Sequence, residues 1–382
     1  MTLAAALLVA SSAGALAACG GSDPRPTVLT WHSESLPVPA GTRAMVRGAT
    51  WCDDRWVVVG ATADRRGETR PAVWSSSDGR DWRPVALDPR GDFYAASAVL
   101  SSVGCHAGRL AVLGAKRGGA HANPRVQTWR QRADGSLAAV LAPFEQYGGP
   151  NAVTVQSLVG GPAGYLIAGT RASGAAVWTS HRGDRFTLHE DTPGLASTPA
   201  ASTLGLDAAW WQGSWTVVGE ATVAQGRLVA TAWRGRGAGP WAATRLPGGS
   251  GTTTAERVVP TATGPVVAGL DGHAFGLWAE HDGTWALAST FGSQDADSTS
   301  AYFVSGLAWT GDRLVATYSD GTTYRLGVGP ATRVDDVAMP VAVGVPGDGS
   351  VTVAAHGEHL LLLTDDAHQS RIWLTDLPAP AR

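Results

Sequence analysis

Short apolar strands that end in glycine recur along the chain. The five clearest copies are Trp56–Gly60, Leu110–Gly114, Tyr165–Gly169, Trp215–Gly219 and Pro265–Gly269, and two looser copies are Leu314–Tyr318 and Leu360–Thr364. Each copy is followed by a polar loop and by a strand that carries one aromatic residue. These aromatic residues lie 45 to 55 positions apart, at Trp74, Trp129, Trp178, Trp233, Trp278, Tyr324 and Trp373. A period of this length indicates a repeated structural unit.

Further short apolar segments flank these two strands, so each repeat accounts for four strands. Seven repeats predict an all-β chain folded as a single seven-bladed β-propeller with four-stranded blades. The last repeat ends after Trp373 with three strands, whereas residues 27–36 form an unpaired strand before the first repeat. We expect this N-terminal strand to close the last blade, with Trp31 beside Trp373, because that pairing hides two sheet edges. The alternatives are a ring of six blades, if the weak sixth repeat is a connection, and a ring of eight blades.

The N-terminal segment is apolar, uncharged and short. Leu3–Ala18 would rise about 24 Å as a helix, which is less than a bilayer requires and typical of a secretory signal core. The segment ends in Leu-Ala-Ala-Cys at residues 16–19, which resembles the lipobox of bacterial lipoproteins, whose cysteine receives a diacylglycerol. One departure from the lipoprotein pattern is that Met1–Thr2 contains no Lys or Arg.

This resemblance implies a domain organisation and a location. The signal peptide would be residues 1–18, a tether anchored by a lipid on Cys19 would be residues 19–27, and the propeller would be residues 28–382. The protein would be exported and held on the outer face of the bacterial cell membrane. The alternative is a secreted soluble protein, cut after Ala17.

Composition narrows the possible partners. The chain has 29 Lys and Arg against 32 Asp and Glu, so it lacks the basic excess that nucleic-acid binding uses. Its 49 Gly and 16 Trp, with 16% charged residues, favour strands and turns. The ten His are scattered and no Cys-x-x-Cys pair occurs, so we expect no metal and no cofactor. We expect a monomer whose partner is an unidentified envelope protein or glycan.

One turn in the first repeat resembles a known structural motif. Residues 76–82 read Ser-Ser-Asp-Gly-Arg-Asp-Trp and resemble the Asp-box, or BNR, turn of sialidase-like propellers, shortened by one residue. The resemblance implies that the Asp carboxylate accepts backbone hydrogen bonds, that Gly takes a positive φ and that Trp packs between strands. The structural residues would be Ser76, Asp78, Gly79 and Trp82. Degenerate copies at 179–186 and 280–285 extend the resemblance to other blades, but it says little about function.

No catalytic signature accompanies these repeats, and the catalytic residues, if any, stay unknown. The Arg-Ile-Pro element of sialidases is absent, and so are a serine nucleophile elbow and a glycine-rich phosphate loop. The sequence favours a non-catalytic recognition or scaffold module for a protein or a cell-wall glycan. The alternative is a glycoside hydrolase or lyase of sialidase-like type, with several carboxylates converging in the central funnel.

Charged loops provide a candidate binding surface. The loops between the second and third strands are basic in the first three blades, whereas the matching loops of the last three carry Asp and His. Connections between blades add aromatic rings that can stack on sugars or contact a protein. The candidate ligand-binding residues are Arg65, Arg66, Arg70, Lys116, Arg117, Tyr94 and Tyr147. We expect an anionic ligand, such as an acidic glycan, against the alternative of ordinary solvated loops.

The two remaining cysteines occupy equivalent places in neighbouring repeats. Cys52 and Cys105 each fall in the turn between the first and second strands. Adjacent blades present these turns side by side, and an exported protein meets oxidising conditions, so we predict a Cys52–Cys105 disulfide. Two separately buried thiols are the alternative.

Overall fold

The computed structural model describes residues 29–118, 122–249, 251–293, 301–345, 347 and 349–377. The predicted signal peptide, Cys19 and most of the tether lie outside these residues. Within the described chain, seven antiparallel sheets follow one another, and each innermost strand contacts the innermost strands of its two neighbours. The innermost strand of the last sheet contacts that of the first, so the ring closes. The prediction of an all-β, seven-bladed propeller is confirmed.

In each blade the four strands follow one another outwards from the centre of the ring. Strand β1 (His32–Glu34) comes before the first blade. Blade 1 contains β2 (Thr42–Trp51), β3 (Trp56–Asp64), β4 (Thr69–Ser76) and β5 (Arg83–Pro84). The connection to blade 2 contributes β6 (Leu87–Asp88) and helix α1 (Phe93–Ala96). Blade 2 contains β7 (Val99–His106), β8 (Arg109–Gly118), β9 (Asn123–Gln131) and β10 (Leu137–Val140). After a 3₁₀ turn (Phe144–Gln146), blade 3 contains β11 (Ala152–Gly161), β12 (Gly164–Arg171), β13 (Gly174–Ser180) and β14 (Thr187–His189).

The remaining blades repeat this order. Blade 4 contains β15 (Ser202–Trp211), β16 (Ser214–Thr222), a 3₁₀ turn (Ala224–Gly226), β17 (Leu228–Gly235) and β18 (Trp241–Arg245). Blade 5 contains β19 (Arg257–Pro260), β20 (Pro265–Asp271), β21 (Ala274–His281) and β22 (Thr284–Phe291). Blade 6 contains β23 (Tyr302–Trp309), β24 (Leu314–Asp320), β25 (Tyr324–Gly329) and β26 (Asp335–Val337). Blade 7 contains β27 (Ser350–His356), β28 (His359–Asp365) and β29 (Ser370–Asp376).

The N-terminal strand closes the last blade as predicted, but Ser33 and not Trp31 lies opposite Trp373, and the two tryptophans pack against the same buried cluster. Strand β1 pairs antiparallel with β29, with His32 opposite Leu374 and Glu34 opposite Ile372, and it supplies the fourth strand of blade 7. One difference from the four-strand repeat appears at blade 2, where β6 lies parallel to β10 and adds a fifth strand at the outer edge. Both pairings cover strand edges that would otherwise stay open.

The antiparallel order divides the turns between two faces of the ring. We call the upper face the one with the turns between second and third strands and with the connections between blades. The lower face has the turns between first and second and between third and fourth strands. Because β1 runs antiparallel to β29, the described chain begins at the lower face, where Leu29 lies beside Trp51 and Asp78.

Apolar side chains fill each junction between neighbouring blades. Between blades 1 and 2, for example, Val57 and Val59 pack with Leu110, Val112 and Trp129. The aromatic residue of the third strand is buried in six blades, from Trp74 to Tyr324, and half-buried in blade 7. Such large rings fill the wedge-shaped gaps that radial sheets leave between them.

The lower face is held by a disulfide and by a closed turn. Cys52 and Cys105 are bonded, with a Cα–Cα separation of 5.6 Å, which confirms the predicted disulfide between blades 1 and 2. In the turn after β4, the Asp78 carboxylate accepts hydrogen bonds from the backbone N–H of residues 80 and 81, both at 2.9 Å. Gly79 has a φ of 74°. The resemblance of this turn to an Asp-box stays a prediction, although the Asp78 carboxylate does accept hydrogen bonds from the backbone of its own turn.

Candidate functional site

Two cavities meet on the upper face between blades 2 and 3. The larger has a volume of about 660 Å³ and lies between β9 and the start of β11. The smaller, of about 300 Å³, extends towards the connection that carries α1. Both are lined by Arg125, Phe144 and Tyr147. We call the combined surface the aromatic groove, and its volume is in the range of ligand-binding clefts.

Arg125 is the charged group of the aromatic groove. Its guanidinium carbon lies 4.4 Å from the centre of the Phe144 ring and 5.8 Å from the centre of the Tyr94 ring. Its Nε is buried without a hydrogen-bond partner, and no carboxylate of the described residues forms an ion pair with it. A guanidinium between two rings has a favourable cation–π environment and keeps its outward N–H groups available for an anion.

Exposed apolar side chains surround this groove. The large apolar residues that are most exposed among the described residues are Phe93, Leu141, Phe144 and Val153, with exposed fractions of 53% to 70%. All four lie on the upper face, in the groove or beside residues that line it. Exposed rings gathered in one place mark a binding surface, whereas isolated exposed apolar residues do not.

A second unpaired polar atom lies in the groove. The Oγ1 of Thr154, near the start of β11, is buried and has no hydrogen-bond partner among the described residues. Buried polar groups nearly always have partners, so the unpaired hydroxyl and the unpaired guanidinium Nε are polar groups beside the groove that the described residues leave unsatisfied. Tyr147, at the floor of the groove, is hydrogen-bonded to the Thr128 hydroxyl at 3.3 Å, and burial raises the pKa of its phenol.

The structure brings together some of the predicted binding residues. Tyr94 and Tyr147 line the groove. Lys116 lies opposite Arg125 in the pairing of β8 with β9, and its Nζ is 3.8 Å from a Glu68 carboxylate oxygen. The other candidates lie on the same face away from the groove lining: Arg65, Arg66, Arg70 and Arg117.

Arg125 and Phe144 were missing from the sequence-based candidates. Both stand in upper-face segments that the sequence marks as basic or aromatic. However, nothing in the local sequence shows that Arg125 stacks against a ring from the connection after β10. The contact depends on tight backbone positions, since a Cβ on Gly148 would lie 2.4 Å from the Phe144 ring.

The second site is the central channel. Its cavity of about 250 Å³ is lined by side chains from the innermost strands of all seven blades. One residue from each strand stands at the equivalent place: Arg47, Ser101, Gln156, Leu206, Arg257, Ser305 and Thr352. Gln156 lines both the channel and the aromatic groove, so the two cavities are neighbours at this residue.

Bulges turn these side chains towards the channel. The pairing of the innermost strand shifts register in blades 1, 2, 3, 4 and 6, and in each case the shift falls at the channel-lining residue. A bulge leaves one residue unpaired and re-aims its side chain. In blade 1, Gly60 pairs with Val46 just before the bulge, and a Cβ on Gly60 would lie 1.8 Å from the Met45 carbonyl oxygen. This close approach explains the recurring glycine of the second strand. The expectation that the strand ends there was wrong, since β3 continues beyond Gly60 to Asp64.

The carboxylates beside the channel hold blades together. Asp207 accepts hydrogen bonds from the Ser157 hydroxyl at 2.7 Å and from the Val258 N–H at 3.1 Å, which joins blades 3, 4 and 5. Glu256 accepts hydrogen bonds from the Thr254 hydroxyl at 2.9 Å and from the Val304 N–H at 2.5 Å. Burial raises the pKa of both carboxyl groups. In each of these two carboxyl groups, both oxygens accept a hydrogen bond from the protein.

The comparisons with known proteins concern the fold. No protein-family model and no curated protein matches the sequence. A putative 6-phosphogluconolactonase from Bacteroides fragilis is 10% identical, with a TM-score of 0.54 over 84% of this chain and 90% of that one. The endosialidase of phage phi92 is 9% identical, with a TM-score of 0.51 over 93% of this chain and 70% of that one. At these identities the similarity shows that the chain shares the β-propeller fold with such proteins.

Proposed function

We propose that this protein is an exported, membrane-anchored propeller that recognises an anionic ligand, either a protein or a cell-wall glycan, on its upper face. The observation that carries the proposal is the aromatic groove, where the Arg125 guanidinium lies between two rings without a carboxylate partner. Rings can stack on the apolar faces of sugars or on side chains, and the guanidinium can form charge-assisted hydrogen bonds with a carboxylate or a phosphate.

The number and the hydrogen bonding of the carboxylates in the channel favour binding over catalysis. Among the described residues, Asp207 is the one carboxylate that lines the channel cavity, and its two oxygens accept hydrogen bonds from other blades. Glycoside hydrolysis uses two carboxyl groups that flank the scissile bond. The described channel wall provides no such pair, so the glycosidase alternative has no support from its geometry.

Export is supported by the disulfide. The Cys52–Cys105 bond is typical of proteins that fold in an oxidising compartment. None of the helices in the described residues is long and apolar enough to cross a membrane. From the N-terminal sequence we propose that a signal peptide at 1–18 directs export and that a lipid on Cys19 provides the anchor.

The path of the chain supports an outward orientation of the groove. Leu29 lies at the lower face, and the nine residues between it and Cys19 can span about 35 Å at most. A lipid on Cys19 would thus keep the lower face towards the membrane. The aromatic groove on the opposite face would point towards the cell wall or a partner.

The anchor is tested by Cys19→Ala. Since lipidation needs the thiol, the variant should move from the membrane fraction to the medium, whereas Cys19 in the unaltered protein should keep it with the membrane. Radiolabelled palmitate should mark the unaltered protein alone. Equal membrane association of the two proteins would rule out the lipid anchor and leave the groove proposal standing.

Ligand binding is tested by titration of the purified protein with teichoic acid, with a polyglutamate peptide and with a neutral glucan. We expect the anionic probes to bind and Arg125→Gln to weaken that binding by about tenfold. Arg130→Gln, an exposed position on the same strand, is the matched control and should bind like the unaltered protein. Equal affinity of the Arg125 variant and its control would refute the groove as the site.

A further inference from the structure

The central channel contains an arginine whose charge is not neutralised by an ion pair. Arg257, at the start of β19, donates from Nε to the Ser305 carbonyl at 3.3 Å and from Nη1 to the Glu256 carbonyl at 2.7 Å. Carbonyl oxygens accept these two hydrogen bonds but carry no net charge. No carboxylate of the described residues lies within ion-pair distance of this guanidinium.

The other charged groups of the channel are already engaged. Arg47 donates to the Asp365 carboxylate at 2.5 Å and to the Ser350 hydroxyl at 3.0 Å, and Asp365 is fully buried. Asp207 receives hydrogen bonds from blades 3 and 5 on its two oxygens. Arg257 is therefore the cavity-lining arginine without a carboxylate at ion-pair distance among the described residues, although the carboxyl groups of Asp207 and Glu256 lie close enough to attract its charge.

We propose that the central channel is a second binding site, which accepts a single carboxylate or phosphate group through Arg257. The bulges support this assignment, because they turn Ser101, Gln156 and Ser305 towards the cavity, which Thr352 of blade 7 also lines. The Gln156 amide and the Thr352 hydroxyl can donate to the anion's oxygens, whereas the Ser305 hydroxyl donates to Thr317 at 2.9 Å. Bulges beside a binding site re-aim side chains, and here they do so in five innermost strands at one level of the ring.

The size of the cavity limits the ligand. Its volume of about 250 Å³ is below the usual range of small-molecule clefts, so it fits a small ion or one end of a longer molecule. Two sources can supply the anionic group. It belongs either to a free small anion or to the acidic end of a ligand in the aromatic groove, which borders the channel at Gln156. The second source rests on the proposed function, whereas the first does not.

The experiment is isothermal titration of the full chain with citrate, inorganic phosphate, an oligogalacturonate and neutral maltoheptaose. Arg257→Gln should weaken the binding of anionic probes by at least about tenfold, because it removes the guanidinium. Arg245→Gln, on the exposed outer strand of blade 4, is the matched control and should change nothing. Should Arg257→Gln fail to fold, Ser101→Leu fills the same cavity, leaves the hydrogen bonds of Arg257 in place and should abolish binding.

The outcomes separate the two sources and the two proposals. Citrate or phosphate binding that depends on Arg257 but not on Arg125 identifies a free small anion as the ligand. This result supports the channel site even if the groove binds nothing. Oligogalacturonate binding that needs both arginines identifies the acidic end of a groove ligand. Oligogalacturonate binding that needs Arg125 alone overturns the channel site and leaves the groove intact. Failure of every anionic probe to bind the unaltered protein also overturns the channel site.

Discussion

The lower and upper faces of this ring use their polar groups in opposite ways. On the lower face, Cys52 is bonded to Cys105, and the Asp78 carboxylate is surrounded by backbone N–H groups of its own turn. On the upper face, Arg125 lies between rings with a buried Nε that has no partner, and Phe144 is half exposed. The disulfide and the Asp78 turn therefore stabilise the lower face, while Arg125 and the exposed Phe144 ring give the upper face a candidate binding surface.

The same contrast divides the upper face itself. In blades 6 and 7, Asp320 accepts hydrogen bonds from two backbone N–H groups of its turn and from Arg325, and Asp366 accepts two from its own turn. In blades 1 and 2, Arg65 and Arg117 form no ion pair with a described residue. The carboxylates of the acidic loops are hydrogen-bonded within their own turns, so the basic loops of blades 1 and 2 provide the charged groups that a partner can contact.

The largest effect should come from the lower face. Replacing both Cys52 and Cys105 by Ala removes a bridge that spans 53 residues, which should lower the free energy of unfolding by about 4 kcal/mol in the chain-entropy model. Urea denaturation measures this loss, and reduced unaltered protein is the control, which should lose a similar amount. Anion binding by the folded double variant should stay within about twofold. A large loss of affinity without a loss of stability would break the division between the faces.

A smaller effect should follow from Asp78→Ala. Backbone hydrogen bonds lower the pKa of Asp78 from 3.8 to about 2, so its ionised form stabilises the fold. Because this carboxylate is exposed, we expect a loss of about 1 kcal/mol near neutral pH. A carboxyl group whose pKa is lower in the folded protein stabilises the fold at pH values above its unfolded pKa. This stabilisation is lost as the pH falls from about 4 to about 2, so the difference in stability between the two proteins should vanish in that range. Denaturation at several pH values measures it.

The control for this change is Asp282→Ala in the corresponding turn of blade 5. Asp282 lies 3.3 Å from His281, and its side chain is 92% exposed. Its carboxylate accepts no backbone hydrogen bond among the described residues, so stability should change by less than about 0.5 kcal/mol. Equal losses for the two aspartates would contradict the structural role of the Asp78 turn.

The smallest effect on stability should come from the upper face. In Gly148→Ala the new methyl group would lie 2.4 Å from the exposed Phe144 ring, which must shift and so alter its contact with Arg125. Anion affinity should fall by about threefold to tenfold with the loss of the cation–π contact, while stability changes by less than about 0.5 kcal/mol. Gly344→Ala, whose methyl group meets nothing within 4 Å, should change neither. Thermal melts of both variants measure the change in stability, and anion titrations measure the change in affinity.

The sequence by itself determined the ring, its closure and its disulfide. Blades are built from local hairpins, so the period of strands and aromatic residues is visible along the chain without knowledge of distant contacts. The same period predicted that residues 27–36 would complete blade 7, which is where β1 pairs with β29. It also placed Cys52 and Cys105 in equivalent turns of adjacent blades, and such turns lie side by side in a ring.

Tertiary structure alone decided where the binding groups converge. Arg125 reaches Phe144 because the connection after β10 folds back over β9, and no period in the sequence encodes that approach. The repeat does hold a signal for the channel, since Arg47 and Gln156 each stand thirteen residues before the repeated glycine of the second strand. A bulge changes the direction of a side chain without changing its place in the sequence, so only the paired strands reveal which residues face the channel.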